Sequence, residues 1–564
     1  MSPILITLLV IAAAVTAAYI LIYLQNIRNK KTWLKKLRGQ WGKLSVRRRT
    51  AEEMKLFHSL YRDTKGENFF IDDITWRDLD MDRIFRGMDS TVSSAGSDVL
   101  YKLLRVPAFD IVELEKRDGI MNYFDANPSE RESVLGILAN SSDDRNPSAY
   151  SMIKVLDSAE KIRIGKYLLL TVMAAVDVAL LFVFPAAAVI FFIILAAADL
   201  IIHVKNNSGI NRYIKAFSCI LKYLDTAQNF VKLKIDVLEP YSEKLEACLE
   251  QFSKMRRGSF LVTSSGSMGT GIGSAVLSYL NIFFHFDVLK YDQMLEEYLR
   301  NKESCRELIE TLGFVDAMIA AASFRSSLDT FCVPEFSEDN ESVEARGLYH
   351  LLVKNPVSND TFLDGGTLVT GSNASGKSTF LKSVGIAAIL AQSIYTVPAK
   401  YFRSPYVKVM SSMAVSDSLE RNESYFMAEL KSVKRIIDSS GGSIKVLAIV
   451  DEVLRGTNTT ERIAASSEVL MELLRSGSVV LAATHDIELT YILEKSFKNV
   501  HFEETAGEDD IIFDYVLRDG RAESRNAVAL MKALKFDCRT VEGALSMIEK
   551  YETDGKWEID IDEG

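Results

Sequence analysis

The stretch "GTLVTGSNASGKSTFLKSVGIAAILAQ", Gly366 to Gln392, decides how the chain is read. "GTLVT" is an apolar, β-branched run that predicts a strand, and "TFLKSVGIAAILAQ" carries the apolar spacing of a helix. Between them lies the pattern GxxxxGK[ST], filled by Gly371, Gly376, Lys377 and Ser378. Glycines let the backbone wrap around phosphates, while loop amides and the helix amino end supply positive potential. Lys377 then reaches the outer phosphates and Ser378 ligates magnesium.

Two further apolar runs end in groups that complete such a site. "IKVLAIVDE", Ile444 to Glu452, predicts a buried strand ending in two acids. Asp451 is expected to hold the magnesium through its water shell, and Glu452 to orient or deprotonate the attacking water. "SVVLAATHD", Ser478 to Asp486, predicts another buried strand whose end places His485 by the outer phosphate or the water. Ligands of open α/β sheets gather where the carboxyl ends of parallel strands meet. Strands alternating with helical segments predict a doubly wound α/β fold with a parallel sheet, here a magnesium-dependent P-loop NTPase domain.

Composition narrows the alternatives. The 564 residues are 48% apolar, enough for several buried cores, and the net charge of -10 argues against a chain that coats nucleic acid over its whole surface. Cys219, Cys248, Cys305, Cys332 and Cys538 form no CxxC pair, and the six histidines form no HExxH cluster, so neither a disulfide framework nor a protein-held transition metal is expected.

Hydropathy adds a membrane expectation. Ile4 to Leu24 is continuously apolar apart from Thr and Tyr, about the 20 residues that cross a bilayer, and ten basic residues from Arg28 to Arg49 follow it without an acid. Tyr167 to Val204 is a longer apolar stretch broken by Pro185, read as two antiparallel spans, with Asp177 in mid-membrane marking a helix contact. Three spans with both ends of the hairpin on the basic side predict a multi-pass protein of the cell membrane that touches lipid, with its ATPase domain cytoplasmic. The glycine- and serine-rich run from Gly269 to Phe286 is read instead as a loop leading into a buried helix.

The predicted order is a transmembrane anchor (1–26), a basic cytoplasmic linker (27–80), the start of a helical core and lever (81–160), a transmembrane hairpin (161–206), a helical lever region (207–335), the ATPase domain (336–545) and an acidic tail (546–564).

Taken together, "TGSNASGKST", "DEVLRGTNTTER" and "ATHDIELT" resemble the ATPase of the MutS mismatch-repair family. "SLERNESYFMAEL" is similar to that family's signature segment, and "VPA" at Val397 to Ala399 also fits. Upstream, "IFRGMDSTVSSAGSDVLYKLLRVP" looks like the start of the family's core and lever, and "VPEFSEDNESVEARGLYHLLV" like the approach to its ATPase. The resemblance covers about Arg83 to Leu138 and Leu289 to Ala544. It implies an ABC/MutS-type ATPase preceded by a mostly α-helical core and lever, and a homodimer with composite ATP sites coupled to a clamp on DNA. Asn373 and Thr379 join the nucleotide contacts, and Ser424 reaches nucleotide held by the partner subunit. The chain departs from the pattern in leaving no room before Met81 for a mismatch-reading domain. An aromatic expected near Val357 to stack on adenine is also missing, with Phe362 or Tyr349 as substitutes.

Three functions follow. The first is a membrane-anchored, DNA-binding MutS-like ATPase serving mismatch repair or sensing of DNA structure. The second keeps the ATPase and makes its client a membrane or protein partner. The third, an ABC-type transporter subunit, ranks last, since no LSGGQ-like stretch stands at Ser418 to Tyr425.

Overall fold

A computed structural model describes residues 31–45, 69–141, 148–159, 164–257, 286–337, 341–372, 375–413, 425–454, 457–506, 511–522 and 535–555 for the most part, with a few single positions elsewhere. The chain divides into two units, residues 1–65, 86–102 and 119–327 forming one, and 66–85, 103–118 and 328–564 the other.

The first unit is helical. The helix Glu239–Gln251 packs on both Pro185–Val231 and Lys302–Arg325, and Phe217, Tyr291 and Tyr298 meet edge to face in the interior. Two buried groups lock the helix Lys302–Arg325 to the segment Val92 to Gly96. A Cβ on Gly313 would stand 2.5 Å from the Ala95 carbonyl oxygen, so only glycine allows this approach. Asp316 Oδ1 accepts from the Val92 amide (3.1 Å), and its Oδ2 from the Ser93 amide (2.8 Å) and hydroxyl (2.6 Å). Burial pushes the Asp316 carboxyl up to about 6 in spite of these donors.

The membrane expectation is corrected here. Among the described residues no helix is long and apolar enough to cross a membrane. The helix Ile164–Leu180 has 17 residues, and at about 1.5 Å per residue spans only ~25 Å against a hydrocarbon layer of about 30 Å. After a turn through Phe184, Pro185 opens a helix of 47 residues that runs past Val204 into polar sequence and ends at Val231. Hydropathy averaged over the apolar letters took part of this long helix for a span. The transmembrane hairpin, the lipid contact through three spans and the multi-pass cell-membrane location are therefore withdrawn, while the Ile4–Leu24 anchor lies largely outside the described residues. Asp177 is buried, at 3% exposure.

The second unit holds two sheets. The smaller one has the order β1-β5-β2-β3, from β1 (Glu335–Phe336), β2 (Val343–Leu348), β3 (Asn359–Leu363) and β5 (Tyr401–Ser404), and β2 is antiparallel to both its neighbours. The larger has the order β10-β9-β4-β8-β7-β6, from β4 (Gly366–Thr370), β6 (Val407–Ser412), β7 (Lys445–Asp451), β8 (Val479–Ala483), β9 (Phe497–Ala506) and β10 (Ile511–Asp519). Five of its strands run parallel and β10 runs antiparallel to β9. The expected parallel sheet is thus corrected to two mixed sheets in a mostly helical chain. The four residues between β9 and β10 are too few for a crossover, which forces the edge pair antiparallel.

Side-chain alternation explains how helices cover the larger sheet. Val446, Ala448 and Val450 join Val480 and Ala482 in a core with Ile436 of α2 (Tyr425–Ser439) and Leu470 and Leu473 of α3 (Thr459–Arg475). Ile449 points the other way, against Gly385 of α1 (Lys377–Ile394), where a Cβ would stand 2.7 Å from Ile449 Cδ1.

Candidate active site

Register brings three strand ends to one edge. Ala483 is paired with Val369 on one side and with Asp451 on the other, so the residues that follow β4, β7 and β8 emerge side by side. Gly371 and Gly376 bound the loop after β4 with φ of 141° and 106°, conformations that glycine supplies without strain. Lys377 opens α1 and is buried. Its Nζ donates to the carbonyls of Gly371 (2.8 Å) and Ser372 (2.7 Å) and lies 3.3 Å from His485 Nε2. The ammonium is thus folded back into its own loop, where an anionic ligand can draw it out.

Ser378 Oγ donates to Asp451 Oδ2 at 2.6 Å. Asp451 Oδ1 is buried, and among the described residues has no hydrogen-bond partner. A hydroxyl and a carboxylate with an unused oxygen form a hard-donor pair suited to Mg2+, which keeps most of its waters and takes one or two protein oxygens. No group of three or more His, Cys, Asp or Glu side chains that could hold a metal gathers among the described residues.

Glu452 follows with φ of 56°, and Leu454 with φ of 61°. Left-handed non-glycine residues are disfavoured by about 1–3 kcal/mol each and persist where surrounding contacts over-determine them. Such contacts are present. The Glu452 amide donates to the Ala483 carbonyl (2.9 Å), Ser466 Oγ of α3 donates to the Val453 carbonyl (3.1 Å), and Glu429 Oε1 of α2 accepts from the Leu454 amide (2.6 Å). The turn aims the Glu452 carboxylate at His485, Oε1 to Nε2 at 3.0 Å. Behind His485, Arg462 of α3 grips Asp486 with two hydrogen bonds, of 2.9 and 2.6 Å.

A cavity of about 540 Å3 opens beside the loop, lined by Lys377, Ser378, Thr379 and Glu452 together with Pro356, Val357 and Tyr515, whose ring lies against Gly376. His350 also lines it. Burial, reinforced by the charge of Lys382, lowers the imidazole to about 4, and its Nδ1 accepts from the Leu352 amide at 3.2 Å. Neither expected aromatic reaches this cavity: the Tyr349 hydroxyl donates to the Thr330 carbonyl, and Phe362 lines a separate cleft with Arg346 and Lys498. Tyr515, which lines the cavity with Phe380 and Phe502, is not among the residues expected from the sequence. It sits in a bulge where the β9–β10 register shifts, with φ of 57°, and Asn359 clamps the bulge by donating to the Tyr515 carbonyl (3.0 Å) and accepting from the Leu517 amide (2.7 Å). The structure therefore brings Gly371, Gly376, Lys377, Ser378, Thr379, Asp451, Glu452 and His485 to one edge, whereas Asn373 and Ser424 lie outside the described residues.

Comparison with known proteins shows which families the chain is similar to. Residues 367–552 match the model of MutS domain V. The chain is similar to MutS protein homolog 4 of Mus musculus, 28% identical over 336 residues that cover 55% of this chain and 34% of that protein. The DNA mismatch repair protein MutS of Thermotoga maritima is 31% identical over 271 residues, covering 46% of this chain and 33% of that one. MutS of Aquifex pyrophilus is 29% identical over 280 residues, covering 48% and 32%. The matched region thus spans about a third of each of these relatives.

Proposed function

We infer that this chain is a MutS-family protein, and from that premise propose that it is a nucleotide hydrolase acting on ATP. The observation that carries the reading is the convergence of Lys377, Ser378, Asp451, Glu452 and His485 on one sheet edge beside a cavity of nucleotide size. Lys377 exchanges its two loop carbonyls for the outer phosphates. Ser378 and Asp451 would hold Mg2+, which when bound neutralises the charge that develops on the phosphate oxygens. Glu452 takes a proton from the water whose oxygen bonds to the terminal phosphorus as the bond to the bridging oxygen breaks, and His485 holds the carboxylate in place. Tyr515 offers its ring to the base.

The relatives' names as DNA mismatch repair proteins support DNA as the client; the resemblance of the motifs to the MutS ATPase supports a homodimer in which Ser424 completes the partner's nucleotide site. The net charge of -10 favours a second reading, in which the dimer acts on a protein partner. ATP turnover by the purified full chain, measured with paired and mismatched duplexes at low and high salt, separates them. DNA as client predicts stimulation that fades as salt rises. Turnover indifferent to DNA, together with no DNA affinity at low salt, would leave the protein-partner reading standing.

A further inference from the structure

Glu429 lies on the first turns of α2, is only 5% exposed, and its carboxylate holds the backbone of the turn after β7. The bond from the Leu454 amide to Glu429 Oε1 is short, at 2.6 Å, and buried, and its acceptor is a carboxylate. Such charge-assisted bonds are about twice as strong as neutral ones. What it holds is a backbone of rarely adopted conformation, since Glu452 and Leu454 both have positive φ. Ties from β8 and α3 also hold this turn, and Glu429 ties it to α2.

We propose that Glu429 is a positioning residue for hydrolysis: by fixing the Leu454 amide it aims the Glu452 carboxylate, and so makes the placement of α2 set the rate of phosphoryl cleavage. This rests on the reading of the site as a nucleotide hydrolase. A residue acting on aim alone separates two quantities that general destabilisation moves together. Nucleotide binding depends on Lys377 and the loop after β4, whereas cleavage depends on where Glu452 points.

The test uses the full chain with Mg-ATP, comparing wild type, Glu429→Ala and Glu429→Gln for turnover, KM and equilibrium nucleotide affinity, with thermal unfolding as a check on folding. Displacing a reacting group by about 1 Å reduces rates by up to about 100-fold. Glu429→Ala is expected to lower kcat by about 10- to 100-fold while nucleotide affinity stays within about threefold. Glu429→Gln retains a carbonyl acceptor for the Leu454 amide and is expected to recover most of that loss; it also serves if the alanine variant fails to fold. Wild-type kcat in the alanine variant, a parallel fall in affinity, or equal damage in both variants would overturn the proposal. Absence of turnover in the wild type would instead remove the hydrolase reading on which it rests.

Discussion

Arg462 and Asp486 offer the most quantitative test of how the site is held. The guanidinium of Arg462, on α3, meets both carboxylate oxygens of Asp486 at 2.9 and 2.6 Å, and the two side chains are 24% and 15% exposed. Hydrogen bonding to Asp486 raises the Arg462 pKa above its ordinary value, as a paired guanidinium requires. The bond geometry favours a coupling near that of a hydrogen bond to a charged group, and the residual exposure reduces it, to about 1–2 kcal/mol. A double-mutant cycle of Arg462→Ala and Asp486→Ala by urea denaturation reads this coupling directly. The pair also ties down the residue after His485, whose Nε2 is 3.0 Å from Glu452. Arg462→Lys keeps the charge but loses the two-pronged grip, and is expected to lower ATP turnover about tenfold with little change in nucleotide affinity. A coupling energy within error of zero, together with unchanged turnover in Arg462→Lys, would refute the view that this pair fixes the His485 loop.

Two other sites make separate predictions. Tyr515→Ala should weaken nucleotide binding by about 1–3 kcal/mol, the range of stacking between a base and an aromatic ring, with Tyr515→Phe close to wild type; equal affinity in all three proteins by calorimetry would remove Tyr515 from the base site. For Asp316, burial raises the folded-state carboxyl from 3.8 to about 6, so the folded protein holds this proton more tightly than the unfolded chain does. The associated stability is present below about pH 4 and is lost as pH rises through 6, by ~3 kcal/mol. Urea midpoints of wild type should therefore fall relative to those of Asp316→Asn between pH 4 and 6, and parallel curves would contradict the assignment.

The legible and illegible parts of this protein differ in how far apart the interacting residues lie. Gly371 to Ser378, Asp451 with Glu452, and His485 could be read because each is a strand end followed at once by its functional group, and parallel register does the rest. Tyr515 could not. Its place depends on a bulge in an antiparallel edge pair and on Asn359, whose partner amide at Leu517 lies far along the chain. Glu429 was quoted within a signature segment without a role, because its partner Leu454 is 25 residues away. Phe362 and Tyr349 do not line the cavity, because Phe362 of β3 faces a separate cleft and the Tyr349 hydroxyl is held by the Thr330 carbonyl. The hairpin was misread for a related reason: hydropathy registers the letters from Tyr167 to Val204 and not the helix ends, which stop one segment at Leu180 and carry the next to Val231.

The proposed hydrolysis depends on Glu452, aimed by its turn toward His485, activating the water that cleaves ATP held at Lys377. Single-turnover hydrolysis of Mg-ATP by Glu452→Gln, with nucleotide affinity measured on the same protein, addresses it most directly. The account predicts wild-type affinity, a loss of cleavage of at least about 100-fold, and unhydrolysed ATP retained on the protein. Cleavage at the wild-type rate in Glu452→Gln would contradict it.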